Sequence, residues 1–258
     1  MKKSVRLLIR LAVLVAAVAV FCLISLANSI SRKDLMCQGV RVMIAEDYHF
    51  VTEQDVEEFI MRGYGECTRM KLDSIELYKI ENHLVKQSAI QKCEAYITDD
   101  GYLNVEIIQR DPVVRFQKGD YGFYADSEGF IFPLQDNYTS LVPIVDGNVP
   151  ISSPKGYKGA PEDEKERKWL VDLIAMVRYM QASPQWSRNI VQMHVDERND
   201  LILIPREGNE RFIFGAPDEL EQKFERMGLY YMYILPAKSE GYYSTVNVKY
   251  KGQIVCKK

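Results

Sequence analysis

The alternation of apolar and polar positions over residues 101–116, GYLNVEIIQRDPVVRF, predicts the junction of two modules. Leu103, Val105 and Ile107 lie at every second position, which is typical of a strand with one buried face. Pro112 has no N–H group and forces the residue before it to be extended, so this strand is expected to end there. The strand pattern then resumes. We therefore expect one strand to close a first domain and the next strand to open a second.

Upstream of this junction, the periodicities predict an α+β domain in the order β-α-α-β-β. The apolar residues at strand or helix spacing are Val40, Val42 and Ile44 in the first strand, Val56, Phe59 and Ile60 in the first helix, and Leu77, Ile80 and Leu84 in the second. Thr52–Asp55 resembles a capping box at the start of the first helix, and Gly63 offers a C-terminal stop. Strands Ile90–Ile97 and Leu103–Gln109 are expected to form a hairpin around Asp99-Asp100-Gly101.

Downstream, the pattern predicts a mixed β-sheet domain with helices. The predicted strands are Val113–Phe116, two strands within Tyr121–Leu134 around the turn Asp126–Gly129, Leu141–Gly147, Ile190–Val195, Leu201–Pro205, Arg211–Gly215, Tyr243–Tyr250 and Gly252–Val255. The strongest helical pattern runs from Pro161 to Ala182, where an acidic first turn complements the helix dipole. Its apolar stripe consists of Leu170, Leu173, Ile174 and Val177. A second helix is expected to begin at Pro217.

Residues 11–31 carry no charged side chain, which predicts a transmembrane helix that anchors the chain. At a helical rise of 1.5 Å per residue the run is about 31 Å long, close to a hydrocarbon thickness of about 30 Å. The cations Lys2, Lys3, Arg6 and Arg10 precede it and orient the tail, residues 1–10, toward the cytoplasm. A cleaved signal peptide is the alternative, since Ser25-Leu26-Ala27 offers a small-residue site, but its apolar region normally spans about 7–15 residues. Either interpretation places the rest of the chain outside the cytoplasm.

Charge and cysteine content exclude several classes of function. The formal net charge is −3 over 258 residues, and the part after the N-terminal cations is more acidic still. An acidic body argues against nucleic acid as a partner. The five cysteines contain no C-x-x-C pair, so no metal site is predicted. Cys67 and Cys93 either form a disulfide in an oxidising compartment or remain free thiols, and the sequence leaves both possibilities open.

No constellation of catalytic residues is evident. The chain contains no G-x-S-x-G, H-E-x-x-H or Gly-rich phosphate-loop motif. We interpret His49, His83 and His194 as loop, helix and strand residues, and we predict no catalytic residue, no cofactor, no metal and no small-molecule substrate. Tyr250–Cys256 is a candidate edge strand to which a partner strand can add. A strand that is fully paired inside its own sheet is the alternative.

The element order directly after a predicted anchor resembles a POTRA domain, and the motifs resemble the FtsQ/DivIB family of bacterial cell-division proteins. Gln109-Arg110-Asp111-Pro112-Val113 corresponds to the family's R-x-P-V core, with Val114 where alanine is common. The blocks that follow in the family's order are the hairpin around Asp126–Gly129, the strand Leu141–Gly147, Arg211–Gly215 with Lys223 after it, and Val246–Tyr250. The last block departs from the family pattern through Asn247 and Lys249.

The resemblance implies a non-enzymatic scaffold of the divisome that links early and late division proteins and helps regulate septal peptidoglycan synthesis. It implies a POTRA-type domain at 37–112 and a β-domain at 113–258. The family's partners are FtsB and FtsL, bound mainly through the β-domain. The implied localisation is the inner membrane at the division septum, single-pass, with the bulk of the chain in the periplasm.

The partner-binding segment of the family maps to the end of this chain. The residues implied to bind an FtsB-like partner are Tyr250, Lys251, Gly252, Gln253, Ile254 and Val255. A POTRA-bearing factor of envelope transport or outer-membrane assembly is the alternative function, and a secreted hydrolase is a third.

Overall fold

The computed structural model describes residues 13–23, 35–45, 49–238 and 241–258. The chain forms two compact units, of which the first ends at Gln109. The second contains Arg110–Lys258 together with a short earlier segment that includes Phe50. The boundary therefore lies three residues before the predicted end of the first domain at Pro112.

Residues 13–23 form a helix, α1, whose side chains are exposed. The predicted tail and, of the predicted anchor, residues 11, 12 and 24–31 lie outside the described residues. Within the ranges that the structure describes, no helix is long and apolar enough to cross a membrane.

After α1, the described part of the first unit contains three strands and two α-helices in the predicted order, with two short 3-10 turns between the helices. These elements are β1 (Gly39–Ile44), α2 (Glu53–Gly63), α3 (Leu77–Val85), β2 (Ile90–Ile97) and β3 (Tyr102–Gln109). The sheet order is β1-β3-β2, in which β1 is parallel and β2 antiparallel to β3. The most central strand is thus the one whose alternation is clearest in the sequence.

The buried faces of this unit follow the predicted periodicities. Leu103, Val105 and Ile107 of β3 are almost completely buried, as are the inward residues of both helices, Val56, Ile60, Ile80 and Leu84. The capping box is confirmed, since Thr52 accepts a hydrogen bond from the Asp55 N–H and the Asp55 side chain accepts one from the Thr52 N–H. The apolar period and the cap together determine where α2 starts and which face it buries.

The prediction that the helix stops at Gly63 is confirmed, although Gly63 itself is not left-handed. Gly63 is the last residue of α2, but the left-handed backbone conformation occurs at Gly65, where φ is +119°. A Cβ atom on Gly63 would overlap the ring of His83 on α3. The glycine therefore leaves room for the His83 ring, which would have to move if residue 63 carried a side chain.

The second unit is a nine-stranded mixed sheet with two main helices. Its elements are β4 (Pro112–Lys118), β5 (Tyr121–Asp126), β6 (Ile131–Pro133), β7 (Ile144–Gly147), α4 (Glu164–Ala182), β8 (Ile190–Val195), β9 (Leu201–Pro205), β10 (Arg211–Gly215), α5 (Leu220–Leu229), β11 (Thr245–Asn247) and β12 (Val255–Lys257). The strand order is β12-β11-β10-β9-β8-β7-β4-β5-β6. The predicted α+β class with a large sheet is confirmed.

Several predicted bounds in this unit are too wide. The strand expected from Leu141 begins at Ile144, after Pro143, and Leu141 itself is fully exposed. Helix α4 begins at Glu164 and not at Pro161, because the Asp163 side chain accepts the N–H groups of the first turn and is the N-cap. Helix α5 begins at Leu220, after Glu219 in the left-handed conformation, and not at Pro217.

One buried residue of the second unit comes from the short segment before α2. Phe50 is 2% exposed and packs edge-on against Tyr124, Phe132 and Tyr138, with ring centroids 4.9–6.1 Å apart. The sequence pattern predicts a loop for this segment and no buried residue in it. The ring of Phe50 instead belongs to a buried aromatic cluster of the second unit.

Candidate partner-binding edge

Strand β12 is the terminal strand of the nine-stranded sheet. It pairs antiparallel with β11, so that Thr245 lies opposite Lys257 and Asn247 opposite Val255. Strand β11 in turn runs parallel to β10. Among the described strands, none pairs with the other side of β12. The backbone on that side of β12 is consequently available for a strand from elsewhere.

The side chains near β12 alternate between the core and solvent. Ile254 and Cys256 pack against the hydrophobic core, and burial raises the pKa of the Cys256 thiol. Val255 is 48% exposed, and Lys257 is exposed as well. An incoming strand would therefore meet a backbone edge flanked by one apolar and one cationic side chain.

The six residues that the resemblance maps to partner binding do not all lie in this strand. Only Val255 is in β12, while Tyr250, Lys251 and Gly252 form a turn between β11 and β12. Gly252 has φ of +69°, a conformation that favours glycine. The predicted strand over 243–250 is thus too long, and the predicted strand over 252–255 begins three residues too early and ends two residues too early. The mapped segment consists of a turn, a short extended stretch and the first strand residue.

Polar contacts hold the backbone that precedes this turn. The Arg226 Nε donates to the Val248 carbonyl oxygen at 2.8 Å, and the Lys249 Nζ lies 2.6 Å from the Asp200 carboxylate. The hydrogen bond to Asp200 raises the pKa of Lys249. Since Lys249 stands where the family pattern has arginine, the cation of that motif keeps a carboxylate partner in this chain.

The turn itself carries an exposed ion pair and an exposed ring. Lys251 Nζ lies 2.7 Å from Glu219 Oε1, and this hydrogen bond raises the pKa of Lys251. Tyr250 is 47% exposed. Both side chains are accessible to a partner, and each has a contact in its own chain, since the Lys249 ammonium lies 5.4 Å from the centre of the Tyr250 ring.

The inner side of the edge is strongly aromatic. Tyr230 is 1% exposed and meets Phe212 edge-on at 5.4 Å, and burial raises the pKa of Tyr230 to about 12. Lys223, which matches the family's lysine position, is also buried and donates to the Ala216 carbonyl oxygen at 2.8 Å. This lysine therefore stabilises the start of α5 and is not accessible to a partner.

A cation–aromatic cluster next to β12 was missed by the sequence analysis. Lys258 lies 4.3 Å and Lys238 5.3 Å from the ring of Tyr242, which meets Tyr243 edge-on. The hydrogen bond with Lys258 lowers the pKa of the Tyr242 hydroxyl. The pair Tyr242-Tyr243 was visible in the sequence, but its proximity to the last lysine depends on the pairing of β11 with β12.

The three histidines lie apart from this edge in the chain. The Nδ1 of His194 on β8 is 2.6 Å from the Asp146 carboxylate on β7, which also accepts a hydrogen bond from Gln192. His83 packs against Gly63, and His49 meets Tyr138 edge-on at 6.0 Å. Within the described ranges, no group of three or more potential ligands could hold a metal ion. All five cysteines, each in a described range, are free thiols, including Cys67 and Cys93.

Comparison with known proteins gives two family matches. Residues 111–257 match the family described as FtsQ/DivIB, C-terminal related, and residues 35–108 match the family described as POTRA-like domain. The first match alone covers more than half of the 258 residues. No match to a curated protein was found.

Proposed function

Since the chain belongs to the FtsQ/DivIB C-terminal related family, with a POTRA-like domain before the matched region, we propose that it is a non-enzymatic scaffold of the bacterial divisome. In this role it links early and late division proteins and helps regulate septal peptidoglycan synthesis. Its partners are small FtsB-like and FtsL-like membrane proteins. The uncharged run at residues 11–31 supports a membrane anchor. On this proposal the anchor lies in the inner membrane at the septum, and the remainder of the chain lies in the periplasm.

The observation that carries the proposal is the one-sided pairing of β12. A partner strand that aligns beside Val255–Lys257 gains main-chain hydrogen bonds without any rearrangement of the sheet. Side chains at alternate positions of that strand then lie over Val255 on one face, which gives the contact its specificity. The turn Tyr250–Gln253 adds an accessible ring and a cation beside the strand.

The test is a pull-down of the FtsB-like and FtsL-like proteins of the same organism by the full chain. The diagnostic variant is Val255→Lys, because a lysine on an edge strand discourages pairing and replaces the apolar contact. The matched control is Val171→Lys, which changes a valine of similar exposure, 52%, on α4. We expect the wild type and Val171→Lys to capture the FtsB-like and FtsL-like proteins. Val255→Lys should capture much less of both.

A second variant, truncated after Tyr250, removes β12 altogether. Circular dichroism has to show that this variant retains its secondary structure. Capture that is equally strong with Val255→Lys and with a folded truncation would move the partner site away from β12. Absence of capture by the wild-type chain would contradict the scaffold itself and favour a POTRA-bearing factor of envelope transport.

A further inference from the structure

A groove on the second unit lies beside the start of α4. Its volume is about 520 Å³, within the range of small-molecule sites, about 300–1,000 Å³. The residues that matter for its chemistry are Lys118, Pro150, Asp163, Glu166, Trp169 and Asn199. They come from β4, the segment after β7, α4 and the turn between β8 and β9. None of them belongs to the edge at β12.

The indole of Trp169 forms an apolar wall of this groove. The residue is only partly buried, and its ring centroid lies 6.3 Å from that of Phe116, which is fully buried. One side of the indole is thus supported by the core while the side chain still lines the groove. An aromatic ring that is supported from behind and accessible in front can bind a ligand ring whose C–H groups point at it. Such C–H groups carry a slight positive charge, and the face of the indole is slightly negative.

The polar groups around the groove are held in place by hydrogen bonds of their own. Glu166 accepts from the Ser152 hydroxyl at 2.6 Å and from the Ser152 N–H at 3.0 Å. Lys118 Nζ donates to the Ile151 carbonyl oxygen at 2.6 Å, and Asn199 Oδ1 accepts from Asn148 at 3.2 Å. Since each group is fixed but retains further donors or lone pairs, little conformational entropy is lost when a ligand binds.

The charges of the groove are balanced. Lys118 and Lys165 stand against Asp163 and Glu166. A strongly anionic or cationic ligand would therefore meet one pair of like charges for each pair of opposite charges. A neutral ligand with many hydroxyl groups can instead donate to the carboxylates and accept from the ammonium and amide groups.

A second hollow continues the groove along the same segment. Its volume is about 360 Å³, it shares Ser152, Asp163 and Glu166 with the first, and it extends to Tyr157. It adds one further carboxylate, that of Glu162, which is an acceptor for hydroxyl or amide N–H donors. The two hollows together place an aromatic side chain at each end of a polar stretch.

From this arrangement we propose that the groove binds a neutral oligosaccharide, with one sugar ring on Trp169 and its hydroxyl groups on the fixed polar side chains. The chemistry is that of an uncharged chain of sugars, whose hydroxyl and amide groups both donate and accept hydrogen bonds. The groove is separate in sequence and composition from the β12 edge. Oligosaccharide binding in the groove can therefore be tested independently of partner capture at β12.

The two tryptophans of the chain allow a direct test. The full chain, labelled with 5-fluorotryptophan, is titrated with the N-acetylglucosamine tetramer and followed by fluorine NMR. Trp186 is 4% exposed and serves as an internal reference. We expect the Trp169 signal to shift saturably with a dissociation constant on the order of 1 mM, as befits a weak glycan contact, while the Trp186 signal stays in place.

The variant Trp169→Ala is expected to lose binding, measured by saturation-transfer difference NMR from the protein to the tetramer, while its Trp186 signal remains that of the folded protein. Tyr78→Ala, which removes an aromatic side chain 75% exposed on α3, is the matched control and is expected to bind as the wild type does. Titration with maltotetraose, a glucose tetramer, tests whether the groove selects N-acetylated sugars. A weaker shift of the Trp169 signal than with the N-acetylglucosamine tetramer indicates such selection, and an equal shift supports a site for neutral glycans in general.

Three results would overturn the proposal. The first is the absence of any shift at saturating sugar, and the second is undiminished binding by Trp169→Ala. The third is a shift of Trp169 with an oligolysine peptide and none with either sugar, which would assign the groove to a cationic segment of a protein.

Discussion

The guanidinium of Arg110 lies 2.7 Å from the carboxylate of Asp126, and the two side chains are only 9% and 4% exposed. Asp126 also accepts the N–H groups of Glu128 and Phe130 at 2.9 Å, and Arg110 lies 3.5 Å above the Phe130 ring. Two sequence blocks that resemble the FtsQ/DivIB family, the R-x-P-V segment and the hairpin turn, are therefore joined by one buried ion pair.

Replacement of one partner of this pair should destabilise the second unit strongly. In Arg110→Met the Asp126 carboxylate stays buried without its cation, and we expect a loss of about 3–5 kcal/mol in the free energy of unfolding. Both tryptophans lie in the second unit, so urea unfolding followed by tryptophan fluorescence measures this quantity.

The control for this measurement is Lys168→Met, which breaks an exposed pair with Asp172 on α4. Exposed ion pairs contribute little because solvent screens them. An unfolding midpoint of Arg110→Met that equals that of Lys168→Met would show that the buried pair adds no stability.

Gly147 should tolerate no side chain. Its φ is +84°, and a Cβ atom there would overlap the Val195 carbonyl oxygen and approach the His194 ring. We expect Gly147→Ala to lower the free energy of unfolding by about 3 kcal/mol or more, because backbone strain adds to steric overlap.

The control Gly119→Ala separates strain from overlap. Gly119 has φ of +57° but open space around a Cβ, so this variant should lower the free energy of unfolding by about 1–2 kcal/mol. Equal losses of stability in the two variants, measured by urea unfolding, would contradict the overlap.

Phe50 should contribute to the stability of the second unit although it precedes α2 in the sequence. Removal of its buried ring in Phe50→Ala leaves a cavity beside Tyr124, Phe132 and Tyr138, and we expect a loss of about 3–5 kcal/mol. The readout is again the tryptophan fluorescence transition. A transition that does not move would mean that Phe50 makes no net contribution to this aromatic cluster. Val171→Ala, at a side chain 52% exposed on α4 of the same unit, indicates the size of a neutral effect.

Two buried thiols should make the first unit less stable in alkali. Burial raises the pKa of Cys93 to about 12 and that of Cys67 to about 11, from an ordinary value of 9.0. The folded state then holds protons that the unfolded state releases, so the stabilisation is complete below about pH 9 and is lost as the pH rises toward the folded-state values.

Thermal melts followed by circular dichroism between about pH 8 and about pH 11 test this linkage. Cys93→Ala should lower the melting temperature at the lower pH but reduce the further fall at the higher pH. Cys22→Ala, at an exposed position, serves as the control. An identical alkaline fall in wild type and Cys93→Ala would assign the effect to other groups, such as the buried Tyr230 and the partly buried Tyr231, whose pKa values are raised in the same direction.

Local pattern was sufficient to predict the regular elements whose two faces differ clearly. Strands Ile90–Ile97, Ile190–Val195, Leu201–Pro205 and Arg211–Gly215 have the predicted bounds. Only in Leu201–Pro205 does the alternation of buried and less buried positions extend over the whole strand. The other three strands each contain a register shift, on either side of which the alternation still identifies the buried face.

The predicted bounds are wrong where a tertiary contact or a backbone conformation determines where an element begins or ends. The start of α4 depends on which acidic residue caps it, and the start of α5 depends on the left-handed conformation of Glu219. The spacing of apolar residues indicates neither of these features. Phe50 is a single apolar residue without a periodic neighbour, so only the folded chain shows where it packs. At the candidate site, the terminal position of the last segment was predicted, but its division into turn and strand depends on only three residue pairs with β11.

Those three pairs have a dynamic consequence. The β-strands in the middle of the sheet open only when the whole unit unfolds, whereas a strand held on one side by so few pairs detaches by local fluctuation at a small cost in free energy. The amide protons of residues 255–257 should then exchange with solvent much faster than those of β8 and β9. A bound strand would stop this local opening, so the edge would become rigid only when it is occupied.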